Sequence, residues 1–503
     1  MSSSTDLMTV TSRWAAGHQE YLDIDNPADG RVFARVPVSS AEQVDAAVRV
    51  AADAQRTWCR RTARERGRYL TAVAAIIRDH ADEIAALETR EMGKPRSQAR
   101  DLDLEVCISV FEFFGSAVEA MPNYVRDQGF VLDVTVLEPY GVVGAIIPFN
   151  WPPIHVAGKV APALAAGNAV VIKPPEQAPL AILRLVELIG EVLPDDLVHV
   201  VPGGPEVGAT LAAHPGIGKV SFTGSPNAGR AVIRTAAQNL TPTLMELGGK
   251  NGLIIFDSAD LDLAVAAAVE GGYFNQGEAC SAASRILVQR SRYHEVVERL
   301  GRATERLVVG DGADPRTHVG PLVSRAQRDK VLGYIDLGVA EGARLVSQAA
   351  LPGDPALAGG YYVAPTLFAD VTPTMRIATE EIFGPVVTVI PFDDEQQAVE
   401  IANGTDFGLM AAVFSQDAGQ TLRVSRLVRA GIVFVNNYNR MITGLPFGGV
   451  GHSGFGREHA LQTLSEYGYS KSIRMPTGLG TVPRWAALPD VLDEQPRPAG
   501  TWS

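Results

Sequence analysis

Only three cysteines occur in 503 residues, at positions 59, 107 and 280. They form no CxxC pair and no His-flanked cluster, so no structural zinc or other metal site is expected. Three thiols in so long a chain also argue against a disulfide framework, and the expected setting is the reducing cytoplasm. Positive charge is in short supply: 44 Lys and Arg stand against 57 Asp and Glu, a net charge of −13. Nucleic acid and anionic membrane surfaces would be repelled on average, and neither is expected as a partner. Long apolar runs are missing too, because Pro, Gly, Lys or Glu interrupts every Ala-rich stretch before it could span a bilayer. The opening MSSSTDLMTVTSRW has no basic region followed by an apolar core, so no secretory signal is expected. No internal repeat of fixed period is present.

What is there is the composition of a folded globular protein, 46% hydrophobic and 20% charged, with length for two or three domains. The first 120 residues read as mostly helical. From 142 onward short β-branched runs alternate with longer helical ones. Strands are expected at 142–147, 169–172, 197–201 and 219–222, with helices at 178–193, 206–213 and 226–238. This alternation is that of a parallel sheet covered by helices on both faces. A second α/β stretch starts near Asn251 and runs past 430. The tail from Pro476 to Ser503 is proline-rich and reads as an irregular surface strap.

Three short segments carry candidate chemistry. Cys280 lies among small and polar residues in Phe274-Asn275-Gln276-Gly277-Glu278-Ala279-Cys280-Ser281, a bend with room for a substrate at sulfur. A lone cysteine is more often a small buried hydrophobe, and Cys59 and Cys107 keep that reading. Glu246 ends an apolar strand just before Gly248-Gly249-Lys250; burial would raise its pKa toward that of a useful general base, although a helix cap is an equal reading in isolation. Asn150, held in Pro148-Phe149-Asn150-Trp151-Pro152, presents a fixed amide that could face an oxyanion.

Two phosphate-site patterns compete. Gly449-Val450-Gly451-His452-Ser453-Gly454 fits G-x-G-x-x-G but follows no buried strand, so it is rejected as a dinucleotide fingerprint. Phe222-Thr223-Gly224-Ser225-Pro226 is better. A strand ends there, Ser225 can cap a helix, Pro226 suits its first position, and the free N–H groups favour a diphosphate.

Together these segments resemble the aldehyde dehydrogenase superfamily, over about residues 20 to 475. Further matches are Glu91-Met92-Gly93-Lys94-Pro95, Lys173-Pro174-Pro175-Glu176, Glu380-Glu381-Ile382-Phe383-Gly384-Pro385, Pro446-Phe447-Gly448-Gly449 and Ser453-Gly454-Phe455-Gly456-Arg457-Glu458. The resemblance implies an α/β fold of two Rossmann-like domains with a small β oligomerisation arm. Residues 1–120, 141–248 and 453–468 would form the NAD-binding domain and 249–452 the catalytic domain. The arm would come from 121–140 and 469–503, and a homodimer or homotetramer is expected.

By the same resemblance Cys280 is the nucleophile, Asn150 an oxyanion donor, Glu246 the base that hydrolyses a thioester, and Lys159 with Glu458 a proton relay. A carboxylate at 246 favours release of the free acid over transfer to coenzyme A. NAD contacts would come from Ile147, Pro148, Lys173, Glu176, Gly204, Gly208, Phe222, Gly224, Ser225, Leu247, Glu381 and Phe383. Glu176, placed for the ribose hydroxyls, would repel a 2′-phosphate and favour NAD over NADP. Trp151, His155, Gly158, Ser281, Tyr438 and Phe447 would shape the substrate tunnel for a small-molecule aldehyde. Two features depart from the family pattern. Glu278 replaces a glutamine and would oppose a thiolate unless it points away. Gly158 replaces a large aromatic and would widen the tunnel for a bulky aldehyde. A silent binding protein and a redox-free acyl transferase are the alternatives; the first lacks a reason to keep Cys280, Glu246 and Asn150, the second a reason for the cofactor motifs.

Overall fold

The computed structural model describes residues 8–9, 20–438, 442–485 and 488–492. Two separate sheets, each flanked by helices, dominate it. The first has six strands in the order 454–455, 243–246, 219–223, 142–146, 169–173, 198–200. All its pairings are parallel except that of Gly454–Phe455, which runs antiparallel to Thr243–Glu246. Val142–Ile146, Ala169–Lys173 and Lys219–Thr223 are buried along their whole length. That is why they read as continuous apolar runs and not as alternating ones.

The chain moves outward from the central strand 142–146 to 169–173 and 198–200, then returns to the other side at 219–223. Ligands bind at such a reversal, outside the carboxyl ends of the strands. Asn150 and Ser225 follow the two strands that flank it.

The second sheet has seven strands, 344–348, 366–369, 386–392, 285–289, 252–255, 410–414 and 432–435, with only Arg344–Gln348 antiparallel. Cys280 lies just ahead of Arg285–Gln289 and Asn251 just ahead of Gly252–Ile255. Each sheet has its own apolar core. A third sheet joins Gly468–Pro476 to Val131–Pro139 and then to Tyr124–Asp127, all antiparallel, as the expected arm would.

The elements follow the sequence expectations to within a residue or two, with one exception. The opening 120 residues are helical from Ala41 on, but Tyr21–Asn26 and Arg31–Pro37 form a β-hairpin. Its turn, Asn26-Pro27-Ala28-Asp29-Gly30, places Gly30 at φ 71°, a conformation glycine adopts without cost. The expected strap at 476–503 lies partly outside the described residues. Among those described, no helix is long and apolar enough to cross a membrane.

Candidate active site

Cys280 sits on a loop whose backbone is bent by force of packing. Asn275, Gln276 and Gly277 all have positive φ, at 53°, 56° and 67°. Left-handed backbone is costly for residues with a Cβ, so neighbours must hold it. Asn275 Nδ2 donates to the carbonyls of Asn150 at 2.9 Å and Glu278 at 3.1 Å. Asn251 Nδ2 donates to the carbonyls of Cys280 at 2.8 Å and Ala282 at 2.9 Å. A Cβ at Gly277 would collide with the Gly384 carbonyl, which brings the Glu381–Pro385 segment against this loop.

The double glycine after Glu246 has the same purpose. A Cβ on Gly249 would strike the Cys280 carbonyl, and one on Gly248 the Glu381 carboxylate. Only glycines let the strand end of Glu246 approach both.

Asn150 is tied to the cysteine loop through its side chain, with Nδ2 donating to the Glu278 carbonyl at 3.0 Å. Its own carbonyl accepts from Lys94 Nζ at 3.0 Å, and His155 Nε2 lies 3.4 Å from its Oδ1. Lys94 in turn is fully buried between Glu88 and Asp103. That buried triad is a part of the support that the sequence motif alone did not disclose.

Cys280, Glu246 and Glu458 face one cavity, together with Trp151, His155, Ser281, Phe447 and His459. Burial, with Glu381 and Glu246 adding negative charge, pushes the Cys280 thiol up to about 12; the N–H groups of Ser281 and Cys280 oppose this. Burial and the neighbouring Glu458 hold the Glu246 carboxyl well above the usual range, with Lys159 pulling the other way. Neither Glu246 oxygen has a hydrogen-bond partner among the described residues. Glu458 Oε1 pairs with Lys159 Nζ at 2.6 Å, and Lys159 also donates to Thr223 Oγ1 at 2.8 Å. Glu458 is positioned by a two-way backbone bridge with Phe447, at 2.8 and 2.9 Å.

Two tunnel expectations require correction, and the doubt over Glu278 resolves. Gly158 does not widen the cavity: a Cβ there would lie 2.9 Å from His459 Cε1, so that imidazole already fills the space. Tyr438 is not among the described lining residues; it stands behind, donating its hydroxyl to the Ser281 carbonyl at 2.7 Å. Glu278 is buried and turned away from sulfur, Oε1 accepting from Val323 N at 3.2 Å. Burial pushes its carboxyl up to about 8, so it is largely neutral at pH 7.

Most of the residues expected to contact a nucleotide lie beyond the carboxyl ends of the first sheet's strands, while Glu381 and Phe383 precede Val386–Phe392 of the second. Ser225 caps the helix Pro226–Ala236, accepting from Ala228 N, and the first turn carries no acidic residue. A Cβ on Gly224 would lie 2.6 Å from the Phe222 ring, so the backbone there is bare. Lys173 Nζ pairs with Glu176 at 2.9 Å, and Ile147 N donates to the Lys173 carbonyl at 3.2 Å, bringing Pro148 to the same end. Gly204 caps the helix Pro205–Ala213, and a Cβ on its Gly208 would stand 3.8 Å from Lys173 Cδ. Glu381 accepts from Gly249 N at 2.9 Å and shares a cleft with Ser225. Phe383, at φ 60°, stacks edge-on to Phe149. Leu247 packs on Gly229 and also lines the cysteine cavity. Bare backbone, a carboxylate-free helix start and a lysine–glutamate pair fit a dinucleotide. Within the run Gly449–Gly454, Gly451–Ser453 forms a short 3-10 turn and Gly454 opens an edge strand, with no helix directly after it.

The sequence profile of the aldehyde dehydrogenase family matches residues 14–473. Aldehyde dehydrogenase citD of Monascus ruber is 46% identical over 481 residues, covering 95% of this chain and 96% of that protein. An aldehyde dehydrogenase of Didymella fabae is 45% identical, covering 94% and 96%. Among solved structures, betaine aldehyde dehydrogenase of Staphylococcus aureus in complex with NAD+ superposes with a TM-score of 0.89 at 36% identity, covering 93% of each chain. PnpE of Pseudomonas sp. WBC-3 does so with a TM-score of 0.90 at 37% identity, covering 95% of this chain and 97% of that one. With fold, motif order and nearly the whole length in agreement, this chain belongs to the aldehyde dehydrogenase family.

Proposed function

We propose that this chain oxidises an aldehyde to the free carboxylic acid with NAD, Cys280 attacking the carbonyl carbon and Glu246 activating the water that releases the product. The observation that carries the reading is one cavity faced by Cys280, Glu246 and Glu458, with the Asn150 amide pinned to the same loop as the sulfur.

The cysteine rests as a thiol, so its proton must leave as sulfur bonds to carbon. Glu246 is the base in reach of that cavity, and its raised pKa narrows the gap in basicity between carboxylate and thiolate. The aldehyde oxygen becomes negative in this step. Asn150 has one N–H committed to the Glu278 carbonyl and a second for that oxygen.

Bound NAD supplies the hydride acceptor, and Lys173, Glu176, Ser225 and Glu381 are suited to hold it. The acyl group then remains on sulfur as a thioester. Glu246 takes a proton from water, the oxygen adds to the acyl carbon, and the carbon–sulfur bond breaks. The Lys159–Glu458 pair offers the proton a route away. Glu176 would repel a 2′-phosphate, which favours NAD over NADP. Residues 1–120, 141–248 and 453–468 serve as the nucleotide unit in this reading and 249–452 as the catalytic unit. Residues 121–140 and the described part of 469–503 form the arm of a homodimer or homotetramer.

An aldehyde panel with NAD and with NADP tests it. Wild type should generate NADH, faster than NADPH, and Cys280→Ser should generate neither. Folded wild type that produces no absorbance change with any aldehyde would sink the reading.

A further inference from the structure

His459 is a side chain without an occupation in the mechanism. It is 3% exposed and lines the cysteine cavity, beside Phe447, whose ring meets it edge-on at 6.0 Å. Its Nδ1 finds no hydrogen-bond partner among the described residues. Its Nε2 lies 3.9 Å from Glu458 Oε2, too far for a hydrogen bond, and that glutamate is already engaged with Lys159. Leaving a buried imidazole so poorly satisfied has a cost, unless a ligand completes it.

The ring is held there deliberately. Its backbone has φ 64°, a left-handed value for a residue with a side chain, and its carbonyl is fixed by Gly444 N at 2.8 Å. The Cε1–Nε2 edge lies over Gly158, where an added Cβ would come within 2.9 and 3.2 Å of those two atoms. The glycine thus makes room for a polar ring and not for a wider tunnel.

We propose that the Gly158–His459 pair determines specificity, with His459 hydrogen-bonding a polar oxygen on the aldehyde while Cys280 holds its carbonyl. This rests on the aldehyde-oxidising reading above. A neutral imidazole suits the role, since it offers one donor and one acceptor to a hydroxyl or carbonyl. Burial does hold His459 below the ordinary histidine range, with Lys159 adding to the effect and Glu458 opposing it.

The test compares the three hydroxybenzaldehydes with the three tolualdehydes, which match them in size but lack the hydroxyl. In wild type at least one hydroxy isomer should exceed its methyl counterpart in kcat/KM by about tenfold, the worth of one hydrogen bond. His459→Asn, which tolerates left-handed backbone but is shorter, should bring that ratio near one while changing tolualdehyde turnover little. Gly158→Ala, which suits a helix interior, should push the ring aside and erase the ratio in wild type, yet have no further effect in His459→Asn. A ratio unchanged in both variants would overturn the proposal. So would an equal loss on all six aldehydes, which would mark His459 as part of the general machinery. If wild type oxidises none of the six or any other aldehyde, the underlying reading fails as well; turnover with no hydroxyl preference fails this inference alone.

Discussion

The side chains of the cysteine cavity differ from one another mainly in how far burial has moved their protons. Glu246 combines a raised pKa with two unpartnered oxygens, so its removal should be felt in both proton transfers. Glu246→Gln should slow the first equivalent of NADH, because the thiol loses its base, and should slow steady turnover by about 10²- to 10⁴-fold, the usual worth of a general base. Rapid-mixing absorbance reads both phases, and a first equivalent released at the wild-type rate would show that Glu246 does not take the thiol proton. Glu278 gives a pH signature of its own. Its carboxyl moves from an ordinary 4.5 to about 8 on folding, so between those values the folded chain keeps a proton that the unfolded chain has lost. Stability from this group is therefore present below about 4.5 and falls as pH rises, at about 1.4 kcal/mol per unit, until the folded group ionises near 8. Glu278→Gln should accordingly gain melting temperature relative to wild type as pH is raised from 5 to 8; a difference that stays flat would argue that Glu278 is ionised in the fold.

At the scale of elements, the strand-to-helix turn at Ser225 is the most exposed to test. The serine satisfies Ala228 N at 3.2 Å and sets the start of the helix. Ser225→Ala should cost about 1 kcal/mol of stability and weaken NAD binding several-fold, read by thermal melting and calorimetry. This turn, the parallel strands and the helix 180–192 were legible because each has a local cause: a β-branched buried run, a cap, a proline. The hairpin at 21–37 also had a local cause, the Asn26–Gly30 turn, but its charged, half-exposed strands lack the apolar run that marked the others. Cys280, Glu246 and Asn150 could be read from their motifs. The role of Gly158 could not. Whether a missing side chain opens space depends on what stands opposite, and His459 arrives there from the far end of the chain. The Lys94 triad was hidden for the same reason, since Asp103 and Glu88 meet it only once the surrounding helices pack.

Across the whole molecule, the small sheet of 124–127, 131–139 and 468–476 leaves apolar groups in water. Tyr469, Ile473 and Met475 are 46%, 40% and 45% exposed along its edge strand. An edge of this kind invites pairing with a second copy. Ile473→Asp should leave the subunit folded and shift its sedimentation toward a smaller species; an unchanged profile would place the subunit contact elsewhere. That edge strand does not end at the arm. Followed backwards it passes Glu458 and His459 and reaches Gly454–Phe455, laced beside Glu246. In the assembly proposed above, a tether fastened at one end to a neighbour and at the other beside Glu246 has little slack, so loosening the assembly should also blur the discrimination between aldehydes.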